Sequence, residues 1–334
     1  MNDNKTKTRI NRFDNLRGLA IFLIVLGHMA FSTKFFSISF LHRYVIIFHL
    51  AILFFVAGYF SKVDLTQPIK LFKRLLIPYI LATVLFWIIC IPKGKPSDAI
   101  FIYPTYALWF LLALFFMKMA LPIIDKFKYP ITYSFILALL FGFISYPGDI
   151  LGLSRFFSFL PAFLTGFYYN KYKSIFKEKH SKLSLSLENN KIQVIISIIV
   201  LFTSILVAYY IPGTIIIMKL SYEGSYLFNI AIRALIIVLG ISITLILNKV
   251  MTNKECFLTK WGRNSMAIYI LHIFLVLALK KFTKSFICGQ SEIVALSLTF
   301  ILSLLIVIVL SCDWVSECFN KVMDFSANLI LKDD

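Results

Sequence analysis

The sequence predicts an all-α, polytopic membrane protein of about ten transmembrane helices, with no separate soluble domain. Three observations predict it. Hydrophobic residues make up 60% and charged residues 15% of the 334 residues, against roughly half and a quarter in an ordinary globular chain. The apolar excess is gathered into long runs, and mean hydropathy reaches +0.85. Lys and Arg bring the net charge to +18, but they sit in short clusters between the runs. That placement reads as membrane topology rather than a nucleic-acid footprint, so no nucleic-acid partner is expected.

The elements follow in order. A basic tail, residues 1–15, carries Lys5, Lys7, Arg9 and Arg12 ahead of the first apolar segment, Leu16–Phe31. Ala30-Phe31-Ser32 is a poor cleavage site and more apolar runs follow, so this segment reads as a retained helix rather than a signal peptide. The next segments are Val45–Phe60, Leu75–Ile91, Tyr106–Leu121 and Ile131–Tyr146. Then come Phe156–Tyr169, Ile192–Ile211, Leu227–Leu247, Ser265–Leu279 and Ile293–Leu310. Several are shorter than the roughly 20 residues of a straight span, and amphipathic ends with snorkelling Lys or Arg make up the length. Pro68, Pro92-Lys93-Gly94, Pro130, Pro147-Gly148 and Pro212-Gly213 punctuate the joints. Asn170–Lys191 is the longest polar stretch, and residues 313–334 read as a C-terminal tail.

With the N-terminus in the cytoplasm, 24 of the 34 Lys and Arg fall on the inner side. This bias predicts a multi-pass protein of the cell membrane with both termini cytoplasmic. The outer cluster Lys280, Lys281 and Lys284 runs against it. The five cysteines, Cys90, Cys256, Cys288, Cys312 and Cys318, have no metal-like or Cys-x-x-Cys spacing. They read as small buried hydrophobes, and no metal is expected.

Ionisable residues inside apolar runs carry the functional signal. His28, His42, His49 and His272 lie in or beside such runs, whereas His180 lies in the polar stretch. Arg17 and His28 are eleven residues apart, which is three helical turns plus about 20° and about 16 Å of rise. One face of the first helix therefore carries a cation near one surface and an imidazole deep toward the other. Asp14, at i−3 from Arg17, is its local ion-pair partner. A short loop makes the first two spans a hairpin, so His28 and His49 approach each other in the outer half. Two imidazoles at one depth suit proton handling. Arg233, early in its helix, needs a partner or a polar cavity, and Glu223 is a candidate partner. Asn264 or Ser265 caps the ninth span. Lys70, Lys73 and Arg74 form a cytoplasmic basic patch, explained either by anionic lipid headgroups or by phosphate binding.

These residues also carry a resemblance. Arg12-Phe-Asp14-Asn-Leu-Arg17-Gly18 followed by Ile24-Val-Leu-Gly27-His28 resembles the opening motif of the membrane acyltransferase-3 family. Phe48-His49 through Phe54-Phe55-Val-Ala-Gly58-Tyr59 is similar to its fucose 4-O-acetylase-like branch. Arg74-Leu-Leu-Ile-Pro78-Tyr79, Leu108-Trp109-Phe110-Leu111, Gly262-Arg263-Asn264-Ser265 and Tyr269-Ile-Leu-His272 follow in the family's order. Ala51 stands where the branch usually has Pro. Lys70 and Lys73 stand nearest to the basic pair that many relatives carry before the third-helix Pro.

The resemblance implies transfer of an acyl group, acetyl above all, from acyl-CoA to a hydroxyl of a cell-envelope carbohydrate or its lipid-linked precursor. It implies acetyl-CoA as co-substrate. His28 would be the general base or a transient acyl carrier, and His49 would orient the acceptor or share the proton. Arg17, Lys73 and Arg74 would hold the coenzyme A phosphates. Trp109, Tyr269 and His272 would bind substrate. A glycan exporter on the same scaffold is the alternative, and a non-catalytic membrane scaffold a third.

Overall fold

The structure, a computed structural model, describes residues 9–30, 35–64, 68–90, 102–104, 106–144, 147–179 and 190–331. All ten apolar segments contribute helices, and the described residues contain no strand. The helices are α1 (Asn11–Ala30), α2 (Phe36–Ile46), α3 (His49–Tyr59), α4 (Ile77–Cys90), α5 (Trp109–Ile124) and α6 (Pro130–Leu140). They continue as α7 (Leu153–Lys179), α8 (Asn190–Tyr210), α9 (Tyr226–Val250), α10 (Phe257–Arg263), α11 (Ser265–Phe286), α12 (Glu292–Leu310) and α13 (Asp313–Ile330). Among the described residues seven helical spans are long and apolar enough to cross a membrane, or eight if the bent pair α10 and α11 is one span. The apolar helices α5 and α6 are shorter.

Several elements differ from the sequence expectation. The second span starts earlier, at Phe36, and breaks at Ile47 and Phe48, so His49 begins α3 inside the span. The first half of the polar stretch is helical, because α7 runs on to Lys179. The C-terminal segment forms the amphipathic helix α13, which packs on α4, α11 and α12. Asn264 does not cap α11 with its side chain. Its amide instead donates to the Ser311 carbonyl at 2.8 Å and its oxygen accepts from Ser316 at 3.1 Å. Those bonds hold the 83° bend between α10 and α11. Arg233 does not pair with Glu223. It donates to the Ser154 and Ser158 hydroxyls at 3.0 and 2.6 Å and lies over the Tyr222 ring. His180 and the side chains of Lys280, Lys281 and Lys284 lie outside the described residues.

Two glycine-mediated crossings set the frame around the site. A Cβ on Gly18 would run into the Leu258 backbone, and one on Gly262 into the Asp14 backbone. Backbone therefore meets backbone where α1 crosses α10. In the same way Gly58 lies against Phe163 and Gly166 against Phe55, locking α3 onto α7. Within lipid there is no water to drive helix association, so such close approach supplies dispersion contact instead. Asn15 completes the first crossing. Its amide donates to the Thr252 and Lys254 carbonyls at 2.9 and 3.0 Å, and its oxygen accepts from Thr259 at 2.5 Å.

Ahead of α4, Phe72–Leu76 forms a π turn. Pro78 has no N–H to give the carbonyl four residues earlier, that of Arg74, and a widened turn relieves the mismatch. The extra residue in this turn changes which basic side chains face inward.

Candidate active site

Among the described residues, two adjoining cavities open into the bundle. The larger, about 590 Å³, is lined by Arg17, Lys62, Lys70, Arg74, Lys118 and Arg263 among apolar neighbours that include Ile21 and Phe110. Among the described residues, Asp64 is the one carboxylate on that lining. Arg17 is positioned by Asp14, whose oxygen accepts from its guanidinium at 3.2 Å, and it lies over the Phe60 ring. Asp14 is buried and also binds Arg9 at 2.5 Å. That bond raises the Arg9 pKa above the ordinary guanidinium value. Lys118 projects from the middle of apolar α5 and donates to the Ser61 hydroxyl at 3.1 Å. Its ammonium feels Arg17 and Arg74 as like charges. Among the described residues no carboxylate lies within ion-pair distance of Lys118 or Arg74. Arg74 is solvent-exposed, but Lys118, half-buried among cations, is unfavourable until an anion joins it.

The smaller cavity, about 300 Å³, is lined by His28, His42, His49, Tyr106, Trp109 and Arg155 with aliphatic residues of α1, α2 and α11. His42 hydrogen-bonds through Nδ1 to the Gly27 carbonyl at 2.8 Å, and His49 through Nδ1 to the Val45 carbonyl at 2.7 Å. A carbonyl can only accept, so in both rings Nδ1 carries a hydrogen and donates it. His272 is fixed in the same way by the Ile268 carbonyl at 3.0 Å, and its Nε2 is buried without a hydrogen bond. Its ring centroid lies 5.3 Å from that of His28. The Arg155 guanidinium stacks over Trp109 at 4.1 Å.

A family model described as an acyltransferase domain matches residues 10–312. The chain belongs to the acyltransferase-3 family. It is therefore a membrane acyltransferase, and the match covers both cavities. No curated protein and no solved structure matches the chain.

In this acyltransferase, Arg17 and Arg74 meet in one cavity and His28, His49 and Trp109 in the other. Tyr269 lines both. Two predicted site residues fall elsewhere. Lys73 is outside the cationic cavity and reaches Asp324 of α13 at 3.6 Å. The π turn sends it outward and leaves Lys70 and Arg74 on the cavity wall. His272 is fully buried behind the chamber rather than on its lining, so it touches the His28 ring and not the space beside it. Sequence reading gave no site role to Lys118, Arg155 and His42. Lys118 had a usable signal, a single ammonium in the middle of an apolar run. Arg155 and His42 sit at segment ends, where snorkelling is the ordinary explanation.

Proposed function

We propose that this acyltransferase moves an acyl group, acetyl in the first instance, from acyl-CoA to a hydroxyl of a cell-envelope carbohydrate or its lipid-linked precursor. In this reading it belongs to the fucose 4-O-acetylase-like branch and lies in the cell membrane with both termini cytoplasmic. The observation that carries the reading is the pairing of a cation-lined cavity with a histidine-lined one, adjoining at Tyr269.

The cationic cavity suits the phosphate end of the donor. Arg17 and Arg74 offer forked donors to phosphate oxygens, while Lys118 and Lys70 add point charges. Filling the cavity with phosphate supplies the anion that Lys118 and Arg74 lack. The histidine chamber suits the reaction itself. A sugar hydroxyl is a weak nucleophile until a base takes its proton as it attacks the thioester carbonyl. His28 lines the chamber, and none of the hydrogen bonds among the described residues occupies its ring, which supports reading it as that base. The new C–O bond forms, the C–S bond breaks, and the sulfur leaves as coenzyme A thiolate. The proton passes to His28 and from it to the thiolate. His272, in ring contact with His28, orients the base. His49 and Arg155 face the acceptor.

The test is transfer from radiolabelled acetyl-CoA by the purified protein in vesicles, with envelope glycan as acceptor. His28→Ala is expected to lower the rate by about 10²–10⁴, the usual contribution of a general base. Undiminished transfer by that variant would remove His28 from the chemistry.

A further inference from the structure

The two cavities pose a problem of passage. The donor's phosphates and the base that its acyl group must meet lie on different sides of a partition. Three elements build it. On α1, Ile21 lines the cationic cavity and Ile24 the histidine chamber. Around the start of α5, Phe110 and Leu111 face the first, Ala107 and Trp109 the second. On α11, Met266 faces the first and Ile273 the second. On α1 the change of side takes a single helical turn, so the partition is roughly 5 Å thick there. Among the described residues, Tyr269 is the one shared by both linings.

We propose that Tyr269 is the gate of this partition. Its hydroxyl donates to the Ala107 carbonyl, tying α11 to the segment that leads into α5. The ring is buried, 5.2 Å from Phe110 and 5.9 Å from His272 between centroids. A buried phenol seeks a hydrogen-bond partner, so this bond holds the ring across the junction. The acceptor end of the latch is itself loaded. Tyr106, next to Ala107, holds a left-handed backbone conformation with φ 50°, which a side chain with a Cβ resists. Release of the latch lets the Ala107 segment relax and frees the tyrosine to turn into the larger cavity. That opens a path one turn long toward His28. Because the ring also touches His272, which touches His28, opening the gate disturbs the packing of the base. Passage of a thioester arm rests on the acyl-transfer reading. The gate itself rests on geometry alone.

The experiment reads the gate without catalysis. In a background with the five native cysteines replaced, Ile24→Cys reports on the chamber and, in a separate variant, Ala57→Cys reports on the cationic cavity. A small anionic methanethiosulfonate, which the cationic lining admits, is added to proteoliposomes of one orientation from the face that carries Arg17. With Tyr269 present, the chamber thiol is expected to react far more slowly than the cavity thiol. Tyr269→Phe keeps the ring and deletes the latch, and should speed labelling of the chamber thiol about ten-fold, the population change for one lost buried hydrogen bond. Labelling of the cavity thiol should not change. Equal rates at the chamber thiol with and without the hydroxyl, or a chamber thiol as reactive as the cavity thiol when Tyr269 is intact, would overturn the gate. A labelling change in a protein that transfers no acyl group would leave the gate standing and sink the acyl-transfer reading instead. Intact transfer with unchanged labelling does the reverse. Acceptor-independent hydrolysis of acetyl-CoA gives a second readout. It should rise in Tyr269→Phe as water gains the same path, and no rise would count against the gate.

Discussion

At the scale of single residues, the cationic cavity separates cations that await an anion from cations already paired. Lys118 and Arg74 face the cavity with no carboxylate beside them among the described residues. Lys73 faces α13 and pairs with Asp324 between two largely exposed side chains. Such an exposed pair contributes at most about 1 kcal/mol. Lys73→Ala should therefore leave the KM for acyl-CoA within about two-fold of the parent. Lys118→Met and Arg74→Ala should each raise it ten-fold or more, since a hydrogen bond to a charged group is worth roughly 1.5–3 kcal/mol. Initial-rate kinetics over a donor series check all three, and the idea fails if Lys73 proves the most sensitive. Asp14 supplies a related prediction. Asp14→Asn keeps the side chain's size but removes the charge that aims Arg17 at 3.2 Å and holds Arg9 at 2.5 Å. The donor KM should rise about ten-fold with little change in kcat, because the chemistry at His28 lies three turns away.

At the scale of elements, helix position was easier to read than helix contact. Apolar runs reported the spans because lipid leaves no lipid-facing backbone group unpaired, so crossings are apolar and largely helical, with breaks only where protein buries them. The face shared by Arg17 and His28 was legible for the same reason, since helical rise and period are fixed. Three features were not legible. The break at Ile47 and Phe48 lies in an unbroken apolar run with no Pro or Gly to mark it. The turn of Lys73 away from the site depends on a π turn that Pro78 favours but does not dictate. The contact between His28 and His272 joins residues 244 positions apart, and no local pattern encodes it. The glycine crossings belong to the same class, visible in composition but not in partner. Their prediction is structural. Gly58→Leu and Gly166→Leu each push a side chain into the backbone of the facing helix, and overpacking of this kind costs about 1–3 kcal/mol or more. Both should lower the Tm of the detergent-solubilised protein by several degrees and reduce acyl transfer in proportion to folded protein. A Gly166→Leu variant as stable as the parent would mean that α3 and α7 do not meet as closely as described.

At the scale of the whole molecule, the proposed function puts its two substrates at opposite ends of the bundle. Arg17, Lys70, Arg74 and Arg263 gather near the end where α1 and α11 begin, and His28 lies about 16 Å further along α1. In the proposed reading the first end is cytoplasmic, as the rule that basic residues are retained inside predicts, and meets acyl-CoA there. On that proposal the donor enters from the cytoplasm and the acceptor approaches from the other side. The enzyme's dependence on salt should then be one-sided. The donor carries several negative charges into a cavity of fixed cations, and that attraction is screened as the Debye length falls from about 10 Å at 0.1 M salt to about 3 Å at 1 M. Among the described residues the acceptor's chamber carries one guanidinium, Arg155, against six Lys and Arg on the donor cavity, so the acceptor has less charge attraction to lose. In proteoliposomes of one orientation, raising salt on the Arg17 face alone should increase the KM for acyl-CoA several-fold. Raising it only on the opposite face should leave that KM unchanged. Donor supplied only on the opposite face should give no transfer. Transfer sustained by donor on the opposite face, or a salt effect equal from both faces, would show that both substrates enter together and that the partition at Tyr269 does not separate them.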